Sequence, residues 1–86
     1  MVGIAGFNKE NDCLVKVDMK DKGGLIIRIS SKLKRLFGKC MTKAVINAAQ
    51  EMKIENAVIE VEDFGALDFV IKARVKTAVK RAQEAR

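Results

Sequence analysis

Between Leu33 and Met52 the apolar side chains fall at Leu33, Leu36, Phe37, Cys40, Met41, Ala44, Val45, Ala48 and Met52. The spacings of 3, 1, 3, 1, 3, 1, 3 and 4 residues are those of one face of an α-helix. A second stripe, Leu67, Val70, Ile71, Val75, Ala78, Val79 and Ala82, has the same character. The pattern predicts helices over 32–53 and 66–84. Each is apolar on one side only, so each needs a surface to cover it. In a chain of 86 residues the segments left over must provide that surface, and two separate cores would each be too small to stand alone.

Those segments read as strands. Residues 13–19 set Cys13, Val15, Val17 and Met19 against Lys16 and Asp18, a period of two. Residues 25–29, Leu-Ile-Ile-Arg-Ile, open with three bulky aliphatics in a row, and residues 57–62 alternate from Val58 onward. The charged stretch from Lys20 to Gly23-Gly24 predicts a hairpin between the first two. Ser30 or Ser31 suits the N-cap of the first helix, since a serine oxygen accepts a free N–H of the first turn. Asp63 could cap the second. Asp68 sits in the first turn of that helix and Lys80, Arg81 and Arg86 near its last, as the helix dipole favours. Gly38 interrupts the first helix and suggests close approach by another backbone.

The expected fold is α+β: a two-layer ββαβα domain with a three-stranded antiparallel sheet and two helices packed on one face. Strand 13–19 lies in the middle, with 25–29 on one side and 57–62 on the other. Residues 1–86 form a single domain, and 1–12 form a flexible N-terminal segment.

Catalysis has little to work with. The chain has no His, Pro, Trp or Tyr, which removes Ser-His-Asp and Cys-His arrangements and imidazole metal ligation. Cys13 and Cys40 are two thiols without a CxxC spacing, too few for a structural zinc site. Both read as packing residues in a reduced, cytoplasmic protein. No metal is expected. Glu55, Glu60, Glu62 and Asp63 read as a solvated acidic stretch rather than a general acid/base pair, which needs unlike environments. Met19, Met41 and Met52 read as core filler, and Phe37 lies on the core stripe. No apolar run is long enough to span a membrane, and the first residues show neither a basic region nor a long apolar run of a secretory signal.

Charge gives the strongest general signal. Seventeen Lys and Arg stand against eleven Asp and Glu, a net charge of +6. The excess lies in the two helical segments. On the second helix Lys72, Lys76 and Lys80 are spaced i, i+4, i+8, where like charges repel unless an anion lies beside them. With Arg74 and Arg81 they make a candidate docking surface for a protein partner or for phosphate groups. A small basic nucleic-acid-binding domain is the alternative. It is disfavoured because single strands also call for exposed aromatics, and only Phe7 looks free.

The run from Asp63, D-F-G-A-L-D-F-V-I-K-A-R-V-K-T-A-V-K-R-A, resembles the C-terminal helix of the citrate lyase acyl carrier protein (gamma chain) family, which opens D-x-G-A-L-D and continues to A-R-x-x-x-A-x-x-R-A. Asp63, Gly65, Ala66, Leu67, Asp68, Ala73, Arg74, Ala78, Arg81 and Ala82 match. Ser30-Ser31 followed by Phe37-Gly38 is similar to the family's S-S-x5-F-G stretch, and Ala5-Gly6 with Asp12 to its A-G-x5-D start. The acyl carrier of malonate decarboxylase is a functional cousin and a second alternative.

The resemblance implies a non-catalytic carrier subunit serving citrate lyase alpha and beta chains. It implies a phosphoribosyl-dephospho-coenzyme A arm, installed by a prosthetic-group transferase as a phosphodiester on a serine, which holds an acetyl or citryl thioester. It differs from the acidic, all-helical fatty-acid carriers. The attachment serine falls four residues after Ala-Gly and two before Asp. Here that position is Glu10, which has no hydroxyl, so no arm is expected on this chain. Glu10 reads either as a negative charge set where the phosphate would be or as a carrier role lost or changed.

Overall fold

The computed structural model describes residues 1–85. Arg86, one of the cations expected near the end of the second helix, lies outside them. Four strands and two helices follow in the order β1 (Val2–Gly6), β2 (Cys13–Met19), β3 (Leu25–Ser30), α1 (Lys34–Glu51), β4 (Ala57–Asp63) and α2 (Asp68–Glu84). The strands form one sheet in the order β1-β2-β4-β3. β1 pairs with β2 and β2 with β4, both antiparallel, while β3 runs parallel to β4.

The α+β class and the two one-sided helices agree with the sequence reading. The sheet corrects it in three respects. It has a fourth strand, β1, in the stretch left outside the sheet. It is mixed rather than antiparallel. And β2 and β3 are not partners, because β4 lies between them. The cause of the last two is α1. A helix returning the chain across the sheet lays the next strand parallel to the one before it, so β4 pairs with β3 and offers its other edge to β2. Gly23 and Gly24 do take positive φ, at 106° and 75°, but the link they sit in steps across the start of β4 instead of closing a hairpin. Asn56 pins it there. Its side-chain oxygen accepts the Gly24 N–H at 2.9 Å and its carbonyl the Lys20 N–H at 3.1 Å.

Alternation sorts the sheet into two faces. Ala5, Cys13, Val15, Val17, Ile29, Ala57, Ile59 and Val61 point to the buried side. There they meet Met41, Ala44, Val45, Ala48 and Ala49 of α1 and Ile71, Val75, Ala78, Val79 and Ala82 of α2. The other face is open. Its register lines up Ile4, Lys16, Glu60 and Arg28 across all four strands, so opposite charges neighbour one another.

β1 packs against α2 at a distance only glycine permits. A Cβ on Gly3 would overlap the carbonyl oxygen of Ala78 and the amide nitrogen of Ala82. Gly38 has no such role, since the one group near its Cβ direction is the Lys34 side chain at 3.2 Å.

The first turns of α1 also depart from the reading. Leu36 is 77% exposed, Phe37 50% exposed, and Cys40 is exposed. The stripe is continuous, yet only its part from Met41 onward meets the core. Neither serine is the N-cap. Leu33 is, without a side-chain hydrogen bond. Ser31 Oγ accepts the Leu33 N–H one position earlier, at 3.1 Å.

Candidate functional site

The turn between β1 and β2 carries position 10. It leaves β1 through Gly6, whose φ of 94° is a left-handed conformation that glycine adopts at little cost. The Phe7 N–H donates to the Cys13 carbonyl at 3.2 Å and the Asp12 N–H to the Lys9 carbonyl at 3.2 Å. Asn11 takes φ 63°, as asparagine tolerates better than most residues. Beyond the β2–β4 ladder two more backbone bonds fasten the turn. The Asn11 N–H donates to the Phe64 carbonyl at 2.9 Å, and the Phe64 N–H to the Asp12 carbonyl at 3.0 Å.

Asp12 is the anchor. It is buried, and its carboxylate accepts the Cys13 N–H at 2.7 Å, Arg74 Nε at 3.1 Å and Arg74 Nη2 at 2.9 Å. A forked pair of this kind fixes geometry as well as charge. The Arg74 guanidinium, with help from the Cys13 N–H, holds the Asp12 carboxyl below its ordinary range. The guanidinium also lies 5.6 Å from the Phe7 ring centre, with Lys9 Nζ 5.1 Å from the same ring. Glu10, by contrast, is exposed. Phe7, Asn8, Lys9 and Asn11 are exposed as well, so the turn presents position 10 together with its neighbours to solvent, between two fixed ends.

Beside it lies an open cleft of about 760 Å³. Asn8, Lys9 and Glu10 form one wall, Ser30–Leu33 of the β3–α1 junction another, and Glu62–Gly65 of the β4–α2 junction the third. Asp63 is buried here and is not one of a solvated set. It accepts the Ser31 hydroxyl at 2.9 Å, the Gly65 N–H at 3.3 Å and the Ala66 N–H at 2.9 Å. It thereby ties the two junctions together ahead of α2, whose own N-cap is Leu67. Glu60 and Glu62 are exposed on the open face, and Glu55 is exposed too.

Of the cations singled out on α2, four already have partners within the chain. Lys72 and Lys76 both pair with Glu51 of α1, Lys76 at 2.7 Å. The two lysines, Lys72 first, hold the Glu51 carboxyl below its usual range. Arg74 is taken by Asp12, and Arg81 Nη1 donates to the Ile4 carbonyl at 2.8 Å. Lys80 is exposed and takes part in no ion pair among the described residues. The repulsion expected along Lys72, Lys76 and Lys80 is thus relieved at its first two members by Glu51.

Nothing in the site assembles a nucleophile with a base. Cys13 is fully buried, and burial pushes its thiol up to about 11, so it stays protonated and inert. Among the described residues no cluster of His, Cys, Asp and Glu could hold a metal ion, and no helix is long and apolar enough to cross a membrane. What the arrangement can do is hold a turn rigid and offer residue 10, a cleft and surrounding surface to a partner. Asp12 and Arg74 were each visible in the sequence as motif positions. Their pairing, across 62 residues, was not, and neither was the role of Glu51.

A family model described as malonate decarboxylase delta subunit (MdcD), an acyl carrier protein family, matches residues 2–82. The citrate lyase acyl carrier protein of Fusobacterium nucleatum subsp. nucleatum is 42% identical over 83 residues, covering 96% of this chain and 88% of the relative. That of Treponema denticola is 40% identical over 81 residues, 94% of this chain and 91% of the relative. That of Vibrio cholerae is 35% identical over 79 residues, 92% of this chain and 81% of the relative.

Proposed function

The chain belongs to the citrate lyase acyl carrier and malonate decarboxylase delta subunit family, and from that premise we propose that it serves as a non-catalytic acyl carrier subunit of a citrate lyase complex, working with alpha and beta chains in the cytoplasm. The observation that carries the reading is the exposed position 10 on a turn fixed at both ends by Gly6 and the Asp12–Arg74 pair. A carrier needs a presented attachment point and a docking surface, and no reactive centre of its own. Tethering a substrate gives it a high effective concentration at each site it visits.

The residues at position 10 do not fit the phosphoribosyl-dephospho-coenzyme A arm. A phosphodiester needs a hydroxyl, and Glu10 has a carboxylate. The cleft beside it has mixed charge, with Lys9 and Lys32 set against Glu62 and Asp63, so the missing hydroxyl and not the cleft's charge decides the misfit. Of the hydroxyls close by, Ser31 is engaged with Asp63 and Leu33, while Ser30 is exposed. The chain with Glu10 is therefore read as an apo form of the carrier subunit, with the family's fold but without the arm or an acyl load.

Incubation of the chain and of a Glu10→Ser variant with the family's prosthetic-group transferase and precursor, followed by mass spectrometry, tests this. Added mass is expected on the serine variant alone. Mass on the unsubstituted chain, at Ser30, Ser31 or Thr42, overturns position 10 as the attachment point. Mass on neither, while a known carrier is labelled in parallel, reduces the family relation to fold. The second reading, an acyl carrier of malonate decarboxylase, is favoured by the description of the matching family model. Binding to malonate decarboxylase chains in preference to citrate lyase chains would select it.

A further inference from the structure

Helix α1 begins against its own dipole. Its first turn contains no acidic residue, and Lys34 and Arg35 stand there instead, next to Lys32. Positive charge at a helix N-terminus is unfavourable. Lys39 and Lys43 continue the series, and from Lys22 to Gln50 the sequence has no Asp or Glu at all. None of these five cations joins an ion pair among the described residues. Between them lie Leu33, Leu36 and Phe37, each at least 40% exposed. The apolar stripe that seats the second half of α1 on the sheet thus continues past the core and emerges among lysines.

Resting on the carrier reading, we propose that the stretch from Lys32 to Lys43, the entry and first half of α1, is the surface by which this chain docks on an acidic, apolar-centred surface of a citrate lyase enzyme chain. Charge complementarity selects an acidic partner, which would relieve the unfavourable cations of the first turn. The exposed leucines and phenylalanine select a protein over a nucleic acid, since phosphate backbones gain nothing from aliphatic contacts. Interfaces of this kind carry an apolar centre within a polar rim. Position also fits. Lys32 and Leu33 line the cleft that holds Glu10, so a partner seated on α1 has position 10 at the edge of the interface. The α2 cations serve this role less well, because Glu51, Asp12 and the Ile4 carbonyl already engage four of them.

The test is a titration of the full chain onto purified citrate lyase alpha and beta chains, with no arm required. The double variant Lys34→Glu/Lys39→Glu and the single variant Leu36→Asp are each expected to weaken binding about tenfold or more. Lys80→Glu on α2 should change it by less than about twofold, and added salt should weaken the unsubstituted chain more than the double variant. All four side chains are exposed, and circular dichroism checks that each variant keeps its fold. Binding that survives the α1 substitutions overturns the docking surface and leaves the carrier reading standing. Failure of the unsubstituted chain to bind either enzyme chain overturns both. Tight binding to mixed-sequence duplex at physiological salt, abolished by the same substitutions, replaces the acidic protein with a nucleic acid.

Discussion

Two basic amphipathic helices of nearly equal length, α1 and α2, stand side by side in this molecule and do different things with the same ingredients. The stripe of α2 is buried from Ile71 to Ala82, leaving of its apolar residues only Leu67 and Phe69 exposed at its start, and most of its cations are spent on contacts inside the chain. α1 is buried from Met41 onward only, and the cations of its first half are unspent. Length explains part of this. Eighteen residues of helix extend about 27 Å, whereas the six residues of β3 extend about 20 Å, so one end of α1 outruns the strand it packs beside. The lesson is that a basic stripe in a sequence marks a binding surface only where the fold leaves it without an internal partner.

The comparison breaks first at Gly3. Replacing it by Ala places a methyl group inside the backbone of α2 at Ala78 and Ala82. Strand and helix must separate, and a loss of at least about 3 kcal/mol in denaturant unfolding is expected, the upper end of overpacking effects. A loss under about 1 kcal/mol would mean that α2 is not seated as described.

Next in size is a paired truncation. Ile71 of α2 is fully buried and Leu36 of α1 is 77% exposed. Ile71→Ala should cost about 2–4 kcal/mol and Leu36→Ala about 0.5 kcal/mol or less, measured in the same urea titration. Equal costs would erase the distinction between the helices.

The third effect is on acid stability. Because the Asp12 carboxyl is held below its ordinary value by Arg74, the folded state binds its proton less readily than the unfolded chain does. That contribution is present above the unfolded value near 3.8 and is lost as pH falls through the lower folded value. Asp12→Asn should lower stability at neutral pH and flatten the acid limb of the stability–pH curve. An acid limb as steep as that of the unsubstituted chain contradicts the pairing.

The smallest effect is expected from Glu51→Gln, which frees Lys72 and Lys76 on half-exposed ground. Stability should fall by less than with Asp12→Asn, since exposed ion pairs contribute little. The informative readout is electrostatic. α2 should now bind a generic polyanion such as heparin more strongly, with a steeper salt dependence. No change would mean that Glu51 does not engage these lysines in solution.

The sequence showed the helices and three strands to within a few residues, because their periodicities arise from burial on one side. β1 was hidden by an inversion of that signal. Its inward positions are Gly3 and Ala5, kept small by the nearness of α2, while Val2 and Ile4 face outward and are exposed. Alternation of hydrophobicity therefore points the wrong way. Strand order was hidden for a different reason. Cys13–Met19 and Ala57–Asp63 both alternate cleanly, and periodicity says nothing about which strand takes the middle place. At the candidate site, position 10, Asp12 and Arg74 were all named from motif resemblance, residue by residue. Pairings such as Asp12 with Arg74 or Glu51 with Lys72 join elements far apart in sequence, and a count of charges along one helix cannot contain them.

The fastening of the first turn has a consequence for the order of events on the ribosome. Residues 7–12 emerge well before their tethers do, since their fixed conformation draws on the Phe64 backbone and the Arg74 side chain. A nascent chain ending before residue 64 has neither tether, and its turn is free to sample many shapes. The shape of this turn therefore depends on residues 64 and 74 having been made and folded back onto it, so a local feature of the first hairpin reports on the state of α2.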